Sequence, residues 1–126
     1  MKEKPLINPA EPQIFLLADE TKFAANGIVS RTLLNTTHAR VTLFGFAEGQ
    51  ELSEHTSTQH ALIEILSGEC EFSLDGRWKT LKTGTFLYLP PNLRHAVQAK
   101  QAFSMLLTLI KPTEDTKTAG EGDGHC

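Results

Sequence analysis

The chain has 126 residues, 40% of them hydrophobic and 21% charged, with a formal net charge of −3. That length buries one real core, and the composition is that of a soluble single-core protein. It excludes a basic stripe for nucleic acid, an acidic interaction tail and an apolar run long enough to span a bilayer.

The start, Met1-Lys-Glu-Lys-Pro5, lacks an apolar secretory core. Residues 1–12 hold three of the six prolines and little apolar material, so a loose lead-in is expected over 1–25. Within it, residues 16–25 suit either a short helix or an irregular turn. From Ile28 the pattern becomes β. Runs rich in Val, Ile, Leu, Phe and Thr fall at 28–34, 39–46, 61–66, 70–74, 78–81, 85–89, 96–99 and 103–110, broken by Gly, Asn or Pro. Asp75-Gly76 lies between two of them, and suits a type I′ hairpin with φ > 0 at both central positions. Cys70, Phe72 and Leu74 alternate with polar residues, so one face of that strand is expected buried and the other wet. About eight such strands predict an all-β sandwich or barrel over 26–111.

Residues 112–126 contain no large apolar side chain, and a disordered polar tail is expected there, ending in His125 and Cys126. Two cysteines, Cys70 and Cys126, do not make a secreted disulfide framework; both read as free thiols in a reducing cytoplasm. Apolar residues occupy both phases of some runs. Leu62 and Leu66 oppose Ile63 and Ile65, and Leu106 and Ile110 oppose Leu107 and Leu109. A second apolar face calls for a cover, and a homodimer is the expected one.

No Gly-x-Ser-x-Gly elbow, Cys/His pair or phosphate-cradling Gly-rich loop is present. The chemistry rests on two histidines. His55 follows Gly49 and precedes an apolar run ending at Gly68; His95 follows Gly84-Thr-Phe-Leu-Tyr-Leu-Pro90-Pro-Asn92. Two distant histidines in similar frames are expected to converge on one site, where imidazole suits Zn, Fe, Ni and Cu and is less selective for Mn. Each histidine also has a plainer reading, a hydrogen bond within a polar pocket floor. Arg31 and Arg94 suit either a ligand carboxylate or solvent, and Trp78 and Tyr88 suit either a pocket lining or packing.

The two frames resemble the two motifs of the cupin family. The first motif runs Gly, five residues, His-x-His, three or four residues, Glu, six residues, Gly; Gly49, His55 and Gly68 fall in register. The second runs Gly, five residues, Pro-x-Gly, two residues, His, three residues, Asn; Gly84, Pro90 and His95 fall in register. The resemblance is to small single-domain cupins of the RmlC-like, cupin 2 conserved barrel type. It implies a double-stranded β-helix, or jelly-roll, barrel with a divalent metal (Zn, Fe, Mn, Ni or Cu) or none.

Departures from the motifs bear on function. Ser57 stands in place of the second histidine, Ala61 of the glutamate, Asn92 of a glycine and Ala99 of the asparagine. Of the four ligand positions, His55 and His95 remain, with His60 or Gln59 nearby as a third donor. Strict alternation would turn His60 away from Ala61, unless a turn at 56–59 relaxes the phase. The expected function is a cytoplasmic, dimeric cupin holding a small organic ligand through a histidine-bound metal, with catalysis left open. The alternative is a metal-free module for binding or sensing a small molecule. Neither membrane nor nucleic acid is an expected partner.

Overall fold

The computed structural model describes residues 4–113. They form α1 (Leu17–Glu20) and nine strands: β1 (Ile28–Asn35), β2 (Ala39–Phe46), β3 (Glu51–His55), β4 (His60–Ser67), β5 (Glu69–Leu74), β6 (Arg77–Lys82), β7 (Phe86–Leu89), β8 (His95–Gln98) and β9 (Phe103–Ile110). Eight coincide with the apolar runs. The ninth, β3, is Glu-Leu-Ser-Glu-His, whose single apolar residue gives no periodicity to read. The expectations for His125, Cys126 and the tail from residue 114 lie outside the described residues.

The strands pair antiparallel in two sheets, one in the order β1-β2-β9-β4-β7 and the other β3-β8-β5-β6. One apolar cluster draws on both: Phe46, Ile63, Ile65, Phe103 and Met105 from the first, Cys70, Phe72 and Val97 from the second. Phe46 and Phe103 are fully buried and stack at 4.6 Å between ring centroids. Each buries most of its apolar area from water, the main term stabilising the barrel. The Asp75-Gly76 hairpin has φ of 52° and 89°, the two positive values that a type I′ turn needs. Cys70 packs as a core residue, free of any disulfide, and burial pushes its thiol up to about 12, with Glu71 and Glu69 adding to the rise.

The lead-in is less loose than expected. The N–H groups of Leu6 and Ile7 donate to the carbonyls of Thr32 and Leu33 at 3.0 and 2.9 Å, extending the sheet edge past β1. Further along, Thr21 and Lys22 lie so close over Gly45 that a Cβ there would meet the Lys22 carbonyl. The segment thus covers part of the outer face of the five-stranded sheet, where Leu33 and Leu43 are buried outside the main cluster. The second apolar face therefore has an intramolecular cover at β1 and β2. Phe86 and Tyr88 on β7 stay exposed. Among the described residues, no helix is long and apolar enough to cross a membrane.

Candidate functional site

His55 ends β3 and His95 begins β8, and the two are cross-strand register partners. The phase that places them is set by a bulge. Leu52 pairs with Val97, the register then shifts before His55, and both Leu52 and His55 line one cavity. Three residues apart on a regular strand, they would point to opposite faces; the extra residue re-aims His55 inward. The ring centroids lie 4.2 Å apart, edge to face at 60°. Phe72 stacks behind His95 at 6.2 Å and 13°.

Both rings are held in the same way. His55 Nδ1 lies 2.8 Å from the Ser53 carbonyl, and His95 Nδ1 lies 2.9 Å from the Leu93 carbonyl. A carbonyl only accepts, so Nδ1 carries the proton in each, and the neutral ring keeps its lone pair on Nε2. Burial pushes the His95 pKa down; the bond to Leu93 opposes this and the charge of His55 adds to it. His95 is therefore biased toward the neutral, lone-pair-bearing form.

The cavity has a volume of about 210 Å³. Its walls are apolar, with Phe44, Met105, Leu107 and Leu109 from one sheet and Leu52, Phe72 and Val97 from the other. Only His55, Ser57 and His95 make the lining polar. Ser57 Oγ accepts from the Gln59 N–H at 3.1 Å, and the Ser57 carbonyl accepts from the Asn92 N–H at 2.6 Å. The second bond ties the β3–β4 loop to the turn before His95. Asn92 has φ of 69°, so the residue in place of the motif glycine takes the left-handed conformation that Asn tolerates.

The other candidates fall elsewhere. Ala61 lines the cavity, as its motif position implies, but carries no donor. Regular alternation along β4 turns His60 to the outer face, where its Nδ1 meets the Tyr88 hydroxyl at 2.8 Å and its Nε2 is buried without a hydrogen-bond partner. The bend at 58–59 does not alter that phase, and His60 does not join the pair. Gln59 is half-buried and does not line the cavity. Arg31 pairs with Glu20 at 3.1 Å, and Arg94 with Asp75 at 2.7 Å. His38 is exposed, and Trp78 lies on the far side of the four-stranded sheet.

Two imidazoles fall short of the three or four protein donors that most divalent sites use. Among the described residues, no group of three or more His, Cys, Asp or Glu side chains is placed to hold a metal ion. The donor set therefore does not by itself make a usual metal centre. Ser57 is the lining residue whose value the sequence understated: as the replacement for a lost ligand it leaves a polar group in the cavity.

Two antiparallel sheets closed over a core, with histidines at one end, define a double-stranded β-helix barrel. The family of the Cupin domain matches residues 42–110. The chain belongs to the cupin family. It is similar to a conserved protein of unknown function from Streptococcus pyogenes, at 30% identity over 90% of this chain and 97% of that one, with a TM-score of 0.77. A cupin superfamily protein from Desulfitobacterium hafniense shares 26% identity over 89% and 100% of the two chains, at a TM-score of 0.77. A cupin 2 conserved barrel domain protein from Leptotrichia buccalis shares 34% identity over 77% of this chain and 47% of that one, at a TM-score of 0.73. No curated protein matches.

Proposed function

We propose that this cupin is a binding module for a small, mainly apolar organic molecule with one hydrogen-bond-donating polar group. The reading rests on one observation: two imidazoles 4.2 Å apart, each with Nδ1 committed to the backbone, line an otherwise apolar cavity. The apolar body of the ligand fills the cavity, and its hydroxyl, amide or ammonium donates to Nε2 of His55 or His95. Ser57 Oγ supplies a further hydrogen bond. No reaction is assigned.

The test is an imidazole-observed NMR screen of small hydroxylated and amidic compounds. Binders should perturb the His55 and His95 nitrogens and leave His38 unmoved. A screen whose binders move neither ring would sink the reading.

A second reading has the paired Nε2 lone pairs in its favour: a divalent ion held by His55 and His95, with ligand or water in the remaining positions. Elemental analysis of untagged protein, before and after incubation with Zn, Fe(II), Mn, Ni and Cu salts, distinguishes the two.

The setting we propose is the cytoplasm, in keeping with the free Cys70 thiol. The assembly we propose is a homodimer, supported by exposed Phe86 and Tyr88 beside half-buried Leu62 and Leu66. A monomeric mass by light scattering at micromolar concentration would contradict it.

A further inference from the structure

The outer face of the four-stranded sheet carries a second polar site, separate from the histidine cavity. Its centre is Ser73. Alternation puts this residue on the face opposite Phe72, the face expected to be wet, yet it is only 3% exposed. Among the described residues its Oγ has no hydrogen-bond partner. The residue is nearly enclosed, yet it lines a cleft on this face, so its hydroxyl is free to meet a ligand there.

Trp78, Ser73 and Ala96 are register partners in a row across β6, β5 and β8. Ser73 and Ala96 are small and form a floor; Trp78, 48% exposed, forms a wall. On the far side, the β3 bulge turns both Ser53 and Glu54 into the same cleft, beside Glu51 and its register partner Gln98. The cleft measures about 330 Å³, and none of its lining residues is Lys or Arg. Neither Glu51 nor Glu54 makes an ion pair among the described residues. Arg94 feels the charge of Glu54 but donates its Nε and terminal nitrogen to Asp75, at 3.1 and 2.7 Å.

We propose that this cleft binds an organic cation, its ammonium or guanidinium group stacked on the Trp78 indole, countered by Glu51 and Glu54, and donating a hydrogen bond to Ser73 Oγ. Each part has a physical reason. Tryptophan is the best cation–π partner. Two carboxylates with no direct ion-pair partner among the described residues favour positive charge over neutral or anionic groups. The otherwise unpartnered hydroxyl accepts one N–H bond from the ligand. The site needs no metal and does not depend on the function proposed for the histidine cavity.

Trp78 is the only tryptophan in the chain, so its fluorescence reports directly on the cleft. The full chain is titrated with agmatine, n-butylammonium and, for comparison, glucose at the same concentrations. The expected result is a saturable change in emission with both amines and none with glucose. Affinity should fall as salt rises. It should weaken about tenfold in Glu51→Gln/Glu54→Gln, stay unchanged in His38→Ala, and fall about threefold in Glu51→Gln alone should the double variant fail to fold. A linear, unsaturable quench, or equal affinity in the glutamine variants, overturns the proposal. Glucose binding as tight as agmatine binding overturns the cationic assignment.

Discussion

His55 and His95 meet edge to face at 4.2 Å, and each has its Nδ1–H bonded to the carbonyl two residues earlier in its own strand approach. The paired arrangement has an electrostatic consequence. Burial of His95 against Phe72 lowers its pKa, and the charge of His55 lowers it further, because two imidazolium ions at that distance repel. His95 is therefore held toward its neutral, acceptor form.

Stability should depend on pH through His95. Its folded pKa lies below the ordinary 6.5, chiefly through burial. Above that ordinary value neither folded nor unfolded chain holds the proton, so stability is at its full level. As pH falls below it, the unfolded chain takes up a proton that the folded chain resists, and stability drops until pH reaches the lowered folded value. Urea midpoints should therefore fall between pH 7.5 and 5. His95→Gln should fall less over the same range. Parallel profiles for the two proteins would rule the effect out.

The histidines should separate cleanly by ligand binding. His55→Ala and His95→Ala each remove one Nε2 acceptor, and each should weaken a cavity ligand about tenfold, the factor for about 1.4 kcal/mol. His60→Ala should leave affinity unchanged, since that ring faces Tyr88 outside the cavity. If a metal is bound, the first two substitutions should abolish loading and the third should not. Calorimetry with a screened ligand, and elemental analysis, read the two cases. A loss of binding in His60→Ala would show that the ring reaches the cavity in solution.

Most of the fold was legible because apolar alternation is a direct record of burial. Cys70 and Phe72 are buried, as the pattern of that strand required, and Asp75-Gly76 takes both positive φ values. Similar framing and the resemblance to the two cupin motifs pointed His55 and His95 to one site. The rest had no local signature. Strand β3 has one apolar residue in five, and its bulge follows from pairing with β8, which is a tertiary fact. Ser73 looked wet by alternation, but small neighbours and Trp78 enclose it. The phase of His60 was readable from alternation in β4, and the bend at 58–59 leaves that phase unchanged.

The stacked pair of Phe46 and Phe103 should carry a large share of stability. Both are fully buried, from neighbouring strands of one sheet. Phe103→Ala should cost about 3–5 kcal/mol, through lost transfer energy and the cavity left behind. Phe103→Leu should cost clearly less. Denaturant unfolding at neutral pH gives both values, and a cost below about 1 kcal/mol for the alanine variant would show that the site collapses around the gap.

Gly68 and Gly84 allow a sharper comparison, because both have positive φ, 70° and 94°, but different surroundings. A Cβ at Gly84 would meet nothing within 4 Å. Gly84→Ala should therefore cost only the left-handed conformation, about 1–2 kcal/mol. A Cβ at Gly68 would run into the Ala102 carbonyl oxygen and lie 2.9 Å from the Phe103 Cβ. Backbone cannot swing aside as a side-chain end can, so a packing penalty of about 1–3 kcal/mol adds to the conformational one. Gly68 also accepts the Thr83 hydroxyl at its carbonyl, which fixes the turn on its other side. Gly68→Ala should thus be the more damaging by at least about 1 kcal/mol. Thermal and urea unfolding of the two variants side by side measure the difference. Equal losses would mean that residues 102–103 approach this turn less closely in solution than in this structure.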